Sequence, residues 1–171
     1  MSKTDSKAPL GIGFLTVIQA EALGRIGGLL VLNQRGRPTE FHCTSPVKPN
    51  RAQEILYGPT LDDYLDGEQI ARTLVERLSG NAWLLCTDLP SVLAVRPFSK
   101  IPVCFVHSQG AAVPEDAMSL GGVAVSLPPG GDADRSAILE GWSQHVDSFD
   151  LREPFERIYE ALREAQRGMA A

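Results

Sequence analysis

Three cysteines and three histidines carry the side chains best suited to nucleophilic or metal chemistry in this chain of 171 residues. Cys43, in "EFHCTS", is the sharpest candidate nucleophile. A thiol needs a base, and adjacent strand residues point to opposite faces, so His42 is badly placed to serve Cys43. His107, at the end of "IPVCFVHS", is the better base, and the pair would make a small hydrolase or transferase with Thr44, Asp88 or Arg51 orienting groups or holding an anion. The competing expectation is a buried structural thiol, because free cysteine packs as a small hydrophobe and no family-specific motif surrounds Cys43. A zinc site would need Cys43, Cys86, Cys104 and His42 or His107 to converge. No C-x-x-C or H-x-x-x-H pair pre-organises them, so no metal is expected. The glycine pairs fit neither the dinucleotide-binding motif nor the P-loop, and no cofactor is expected.

These groups depend on the elements that carry them. "GIGFLTVIQA" reads as a strand, and "GLLVLN" and "TEFHCT" read as a hairpin turned at Gly36 and stopped from becoming helix at Pro38. After Pro46 and Pro49 the period changes to helix. Asn50 and Gln53 have capping-box spacing, and Gly58 closes the short helix "RAQEILY". Thr60 is expected to cap a second helix whose Leu61, Tyr64, Leu65, Ile70, Leu74 and Leu78 form one stripe, ended by Gly80 and Asn81. "AWLLCTD" and "IPVCFVHS" are compact apolar runs joined by a short crossover, which predicts buried parallel strands. "QGAAVPEDAMSLGG" reads as loop, "VAVSL" as a last strand, and helices follow over 133–146 and 150–167. In the latter, Leu151, Phe155, Ile158, Tyr159 and Leu162 share a face.

The expected fold class is α/β, with α+β as the alternative: a single mixed sheet of about six strands, a β-meander followed by a parallel strand-helix-strand unit, flanked by helices. Residues 1–10 are expected to be a disordered tail and 11–171 one globular domain. Right-handed crossovers make strand 38–44 run parallel to 82–87 and 101–107, so their carboxyl ends share one edge. That edge gathers Cys43, Thr44 and Ser45, then Cys86, Thr87 and Asp88, then His107 and Ser108. Ligands of open α/β sheets collect at such an edge. The adjoining loop adds Lys48, Arg51, Tyr57 and the amides behind Asn50, which suit an anion. Capping and turn chemistry is the plainer reading of the same Thr, Ser and Asp residues.

Hairpin, helix, "AWLLCTDLPSVLAVRPFSKIPVCFV" and a later strand resemble the order of elements in the cytidine-deaminase-like fold over roughly residues 26–127. Those enzymes carry H-A-E or C-A-E and P-C-x-x-C where this chain has "RAQEILYG" and "LPSVLAV", so the resemblance does not bring zinc deamination with it. Roadblock-type and profilin-like scaffolds compete for the same order of elements.

A formal charge of -5 offers no general attraction to nucleic acid or anionic membrane, and nucleic acid is expected to be an unlikely partner. No apolar run approaches the about 18 residues of a membrane span, and the opening "MSKTDSKAPL" lacks the pattern of a secretory signal. An odd number of cysteines inside apolar runs suggests reduced thiols and a cytoplasmic location. Arg35, Arg37, Lys48 and Arg51 suggest a locally basic hairpin region. The leading expectation is therefore a non-enzymatic binding or adaptor module presenting residues 44–57 to a protein partner or a small anion. A homodimer through the C-terminal helix, with Tyr159 and Leu162, is a further possibility, and the Cys43 and His107 enzyme is the alternative.

Overall fold

The computed structural model describes residues 10–145 and 150–169. A mixed seven-stranded sheet runs through it in the order β3-β2-β1-β4-β5-β7-β6. The strands are β1 (Gly11–Gln19), β2 (Arg25–Leu32), β3 (Pro38–Cys43), β4 (Ala82–Thr87), β5 (Val103–Val106), β6 (Met118–Leu120) and β7 (Val123–Ser126). β1, β2 and β3 form an antiparallel meander, and β1 then pairs in parallel with β4, and β4 with β5. Two antiparallel steps restore direction, so β3 does run with β4 and β5, as expected, but two strands lie between β3 and β4.

Alternation divides the core between the two faces of the sheet. Ile12 and Phe14 of β1, with Leu84 and Cys86 of β4, pack against α3 (Asp132–Ser143) and α4 (Glu153–Met169), which contribute Ile138, Phe155, Ile158 and Leu162. Leu15, Leu85 and Val103 face the other way, onto Ile70, Ala71 and Leu74 and onto Val92 and Val95. Those residues come from a π-helical stretch, Asp63–Ala71, that continues into α2 (Arg72–Val75), and from the 3-10 segment Pro90–Phe98. Burying each such aliphatic side chain contributes about 1.5–3 kcal/mol before chain entropy is counted. Gly27 and Gly28 serve both layers: a Cβ on Gly27 would lie 2.2 Å from Ile70, and one on Gly28 2.6 Å from Ile158.

Several local readings change. β6 was expected to be loop. It pairs with β7 through Gly121 and Gly122, both at positive φ (60° and 80°), conformations that glycine reaches without steric cost. Asn50 and Gln53 do form a capping box on α1 (Arg51–Tyr57). Thr60 does not cap the next helix, because its hydroxyl donates back to the Tyr57 carbonyl at 2.6 Å. His145, expected on a helix surface, is buried and stacked on Trp142. The helix read over 133–146 ends at Ser143, and Val146 lies outside the described residues, as do residues 1–9 of the tail. No helix among the described residues is long and apolar enough to cross a membrane.

Candidate functional site

The apolar run of β4 ends at Thr87, and the next residue, Asp88, falls on the α4 side because it continues the alternation of Leu84 and Cys86. On the neighbouring parallel strand, Leu15 pairs with Thr87, which brings Thr16 beside Asp88 on that side. Thr16 is wholly buried and donates from Oγ1 to Asp88 Oδ1 at 2.6 Å. Tyr159, on the inward face of α4, donates its hydroxyl to Asp88 Oδ2 and lies 3.3 Å from Thr16 Oγ1. Both carboxylate oxygens are thus held by hydroxyl donors from two other elements. Burial, and then the hydrogen bond to the Asp88 carboxylate, push the Tyr159 phenol up to about 12, while Arg163 one turn along α4 acts in the opposite sense. Tyr159 therefore stays protonated at neutral pH and donates. Nearby on the same edge, Arg152 Nε donates to the His107 carbonyl at 3.3 Å.

A second polar cluster lies on the other face. Arg25, at the start of β2, bonds Asp66 at 3.0 Å and Asp62 at 2.8 Å, and Ser91 donates to the other Asp66 oxygen at 2.7 Å. Burial works against the Arg25 charge, but the two carboxylates outweigh it and hold the guanidinium protonated more firmly than usual. Asp66 is itself buried, in the π-helical stretch, where Gly67 lets the backbone approach: a Cβ there would lie 2.6 Å from Ala94. This cluster is saturated by its own members and reads as a clamp joining helix, strand and 3-10 segment.

The expected rim exists, but its members are spread along it. With strands about 4.8 Å apart, Thr44 on the β3 side is about 14 Å from Thr87 and about 19 Å from His107. Cys43 and His107 are four strand positions apart in the sheet and are not brought together. Cys43 is exposed rather than buried. The His107 ring bonds Ser126 Oγ at 2.6 Å, and His42 bonds Glu40 at 2.6 Å. Cys86 and Cys104 are core thiols with sulfurs 3.6 Å apart, and that contact together with burial pushes the Cys86 thiol well up. Among the remaining candidates, Thr44 Oγ1 accepts from the Gly27 amide, Thr87 Oγ1 accepts from the Leu89 amide, and the Ser108 carbonyl accepts from the Ala111 amide. Arg51 pairs with Glu54, Lys48 reaches the Ala22 carbonyl at 3.4 Å, and Tyr57 stacks on Tyr64 with ring centres 3.9 Å apart. Ser45 and Asn50 stand in the same loop, Asn50 committed to its cap. Arg35 and Arg37 belong to the turn at the amino edge of β1, away from Lys48 and Arg51, so the four make no single basic patch. Leu162 is buried in the core and Tyr159 is engaged with Asp88, which removes both from the dimer face expected of them.

Among the residues expected at the site, Asp88 has partners that the sequence did not point to. Thr16 and Tyr159 were legible only as anomalies, a polar residue inside the apolar run "GFLTVIQ" and a hydroxyl on the inward stripe of a helix. Among the described residues no three His, Cys, Asp or Glu side chains converge.

Fold and site together define an α/β protein with a hydroxyl-clamped carboxylate at the carboxyl edge of its parallel strands. No family model matches the chain, and no curated protein matches it. Among solved structures, human ENDOV is similar over 95% of this chain and 86% of its own, at 13% identity and a TM-score of 0.49. A Ciona intestinalis Endonuclease V, in complex with a 23mer DNA containing inosine, is similar over 62% of this chain and 48% of its own, at 11% identity and a TM-score of 0.38. The likeness is one of fold, an α/β arrangement around a mixed sheet. Against the expectation of a non-enzymatic adaptor with nucleic acid an unlikely partner, both of these structures are of Endonuclease V, one of them in complex with DNA, and that expectation is not carried further. The Cys43 and His107 enzyme goes with it, because the sheet order separates its two groups.

Proposed function

We propose that this chain acts on nucleic acid, with the carboxyl edge of β1 and β4 as its working site. The observation that carries the reading is the placement of Asp88, a carboxylate held by Thr16 and Tyr159 at the edge where α/β sheets receive ligands. Asp88 accepts the hydrogen bond or proton of a reacting hydroxyl or water. Thr16 and Tyr159 keep its orientation fixed, so little reorganisation is needed when charge shifts during the reaction. Arg152 and Arg163, on the α4 side, supply the positive charge that phosphate oxygens require. The overall charge of -5 makes the contact local, so its affinity falls less steeply with salt than that of a basic nucleic-acid binder. The reading also takes residues 11–171 to act as one domain inside the cell, where the three free cysteines stay reduced.

The test is binding and turnover of inosine-containing DNA, its guanine counterpart and a matching RNA, the inosine DNA being tried first because one of the similar structures contains it. Asp88→Asn is expected to lower turnover about 100-fold while binding stays within about threefold. Arg163→Ala is expected to weaken binding and flatten its salt dependence. Absence of binding to all three at low salt, or full turnover by Asp88→Asn, would end the reading.

A further inference from the structure

At the amino edge of β4, on the side of the sheet away from α4, the structure opens into a cavity of about 370 Å³. Val75 and Leu78 at the end of the second helical stretch, Ala82 at the start of β4, and Phe98 and Ile101 ahead of β5 form its walls. Val75, Leu78 and Ile101 are outer members of the core beneath this face, so the cavity continues that core to the surface. Phe98 remains 40% exposed there, an apolar ring at the surface of the molecule.

Charge at the mouth is unequally compensated. Glu76 and Lys100 both line the cavity. The Arg72 guanidinium donates to Glu76 at 3.1 Å and lies 4.2 Å over the Phe98 ring, so it neutralises the one carboxylate and covers one face of the aromatic. Lys100 has no ion-pair partner among the described residues. An apolar interior with a single uncompensated cation at its rim matches a ligand with an apolar body and one anionic head. The volume corresponds to about a dozen waters at about 30 Å³ each, which suits a body of about ten non-hydrogen atoms and falls in the ordinary range of small-molecule sites.

We propose that this cavity binds a small amphipathic carboxylate, with its chain between Leu78, Phe98 and Ile101 and its head at Lys100. It shares no residue with the Asp88 site, so the two proposals stand or fall separately.

The experiment titrates octanoate, hexanoate and octan-1-ol into the full chain and follows backbone amide shifts by NMR. Octanoate is expected to give saturable shifts confined to residues 75–82 and 98–101. It should bind about tenfold more tightly than hexanoate, since each buried methylene is worth about three- to fourfold. Lys100→Glu, a surface change that leaves the core intact, is expected to weaken octanoate about tenfold and octan-1-ol by less than about twofold. Chain-length dependence in the unaltered protein keeps the test independent of any variant. No saturable shift, shifts centred on another surface, or octan-1-ol binding as tightly as octanoate would overturn the proposal.

Discussion

Asp88 shows how one residue's role is set by neighbours remote in the chain: Thr16 lies 72 positions away and Tyr159 71. Tyr159→Phe removes a donor and leaves Asp88 Oδ2 short of a partner, which should lower stability by about 1–2 kcal/mol in urea unfolding at neutral pH. The pH dependence has a definite sign. The phenol is raised from its ordinary value of 10.0 to about 12 in the folded chain, so the stability it contributes is intact below about pH 10 and lost as pH rises through 12. Stability measured against alkaline pH should therefore fall more steeply for the unaltered chain than for Tyr159→Phe across that window. Equal slopes would mean that the hydroxyl is not held by the carboxylate. The sequence made Asp88 readable, because a strand end announces itself by composition. It did not reveal Thr16 and Tyr159, because a hydroxyl in an apolar pattern becomes a partner only when the sheet order decides which strand lies beside it.

At the scale of elements, the joint between the π-helical stretch and the 3-10 segment is a tight constraint. Gly67 sits where a Cβ would come 2.6 Å from Ala94 and 2.8 Å from the Ser91 carbonyl, the latter being backbone that cannot rotate aside. Gly67→Ala should cost about 1–3 kcal/mol by forcing the two segments apart, and should loosen the Ser91 to Asp66 hydrogen bond with them. Gly80→Ala is the control. It has nothing within 4 Å but a φ of +84°, so its cost of about 1 kcal/mol should appear without any change around Asp66. A second joint ties the 3-10 segment to α3 through Arg96 and Asp134, bonded at 2.7 and 3.1 Å. The Arg96 hydrogen bond holds the Asp134 carboxyl below its usual range despite burial, so this contribution is present at neutral pH and lost as pH falls through the lowered value. Asp134→Asn should cost about 1 kcal/mol at neutral pH, the pair being partly solvent-screened, with the difference from the unaltered chain vanishing in acid. Patterning alone exposed most of these elements. The π-helical winding was hidden, since Leu65, Ile70 and Leu74 satisfy a helical stripe whether the turn is tight or wide. β6 was hidden for another reason: three residues are too few to show alternation, and only the paired glycines after Leu120 marked a hairpin.

The whole molecule is a sheet with two chemically separate cores, and this division explains both what the chain pattern revealed and what it concealed. Continuous apolar runs in β1, β2 and β4 report that both faces are covered, which is why a mixed sheet between helices is legible in the sequence. Strand order is another matter, because "GIGFLTVIQA" pairs with a meander partner on one side and with β4, far along the chain, on the other, and nothing local encodes the second pairing. That single pairing puts Thr16 beside Asp88 and leaves Cys43 remote from His107. The two-core division also makes a prediction about energetics. Ile158 lies against Gly28 on the α4 side, and Ile70 lies against Gly27 on the other, so adjacent residues of one strand support opposite layers. Ile158→Val and Ile70→Val should each cost about 1 kcal/mol, because each removes one buried methyl group with little room for collapse. If the sheet insulates the layers, the double variant should equal the sum within about 0.5 kcal/mol in urea unfolding, despite the sequence adjacency of the two glycines. A coupling of about 1 kcal/mol or more would instead mean that β2 shifts as a rigid plank, carrying strain from one layer to the other, and the Asp88 rim would then respond to packing changes on the far face.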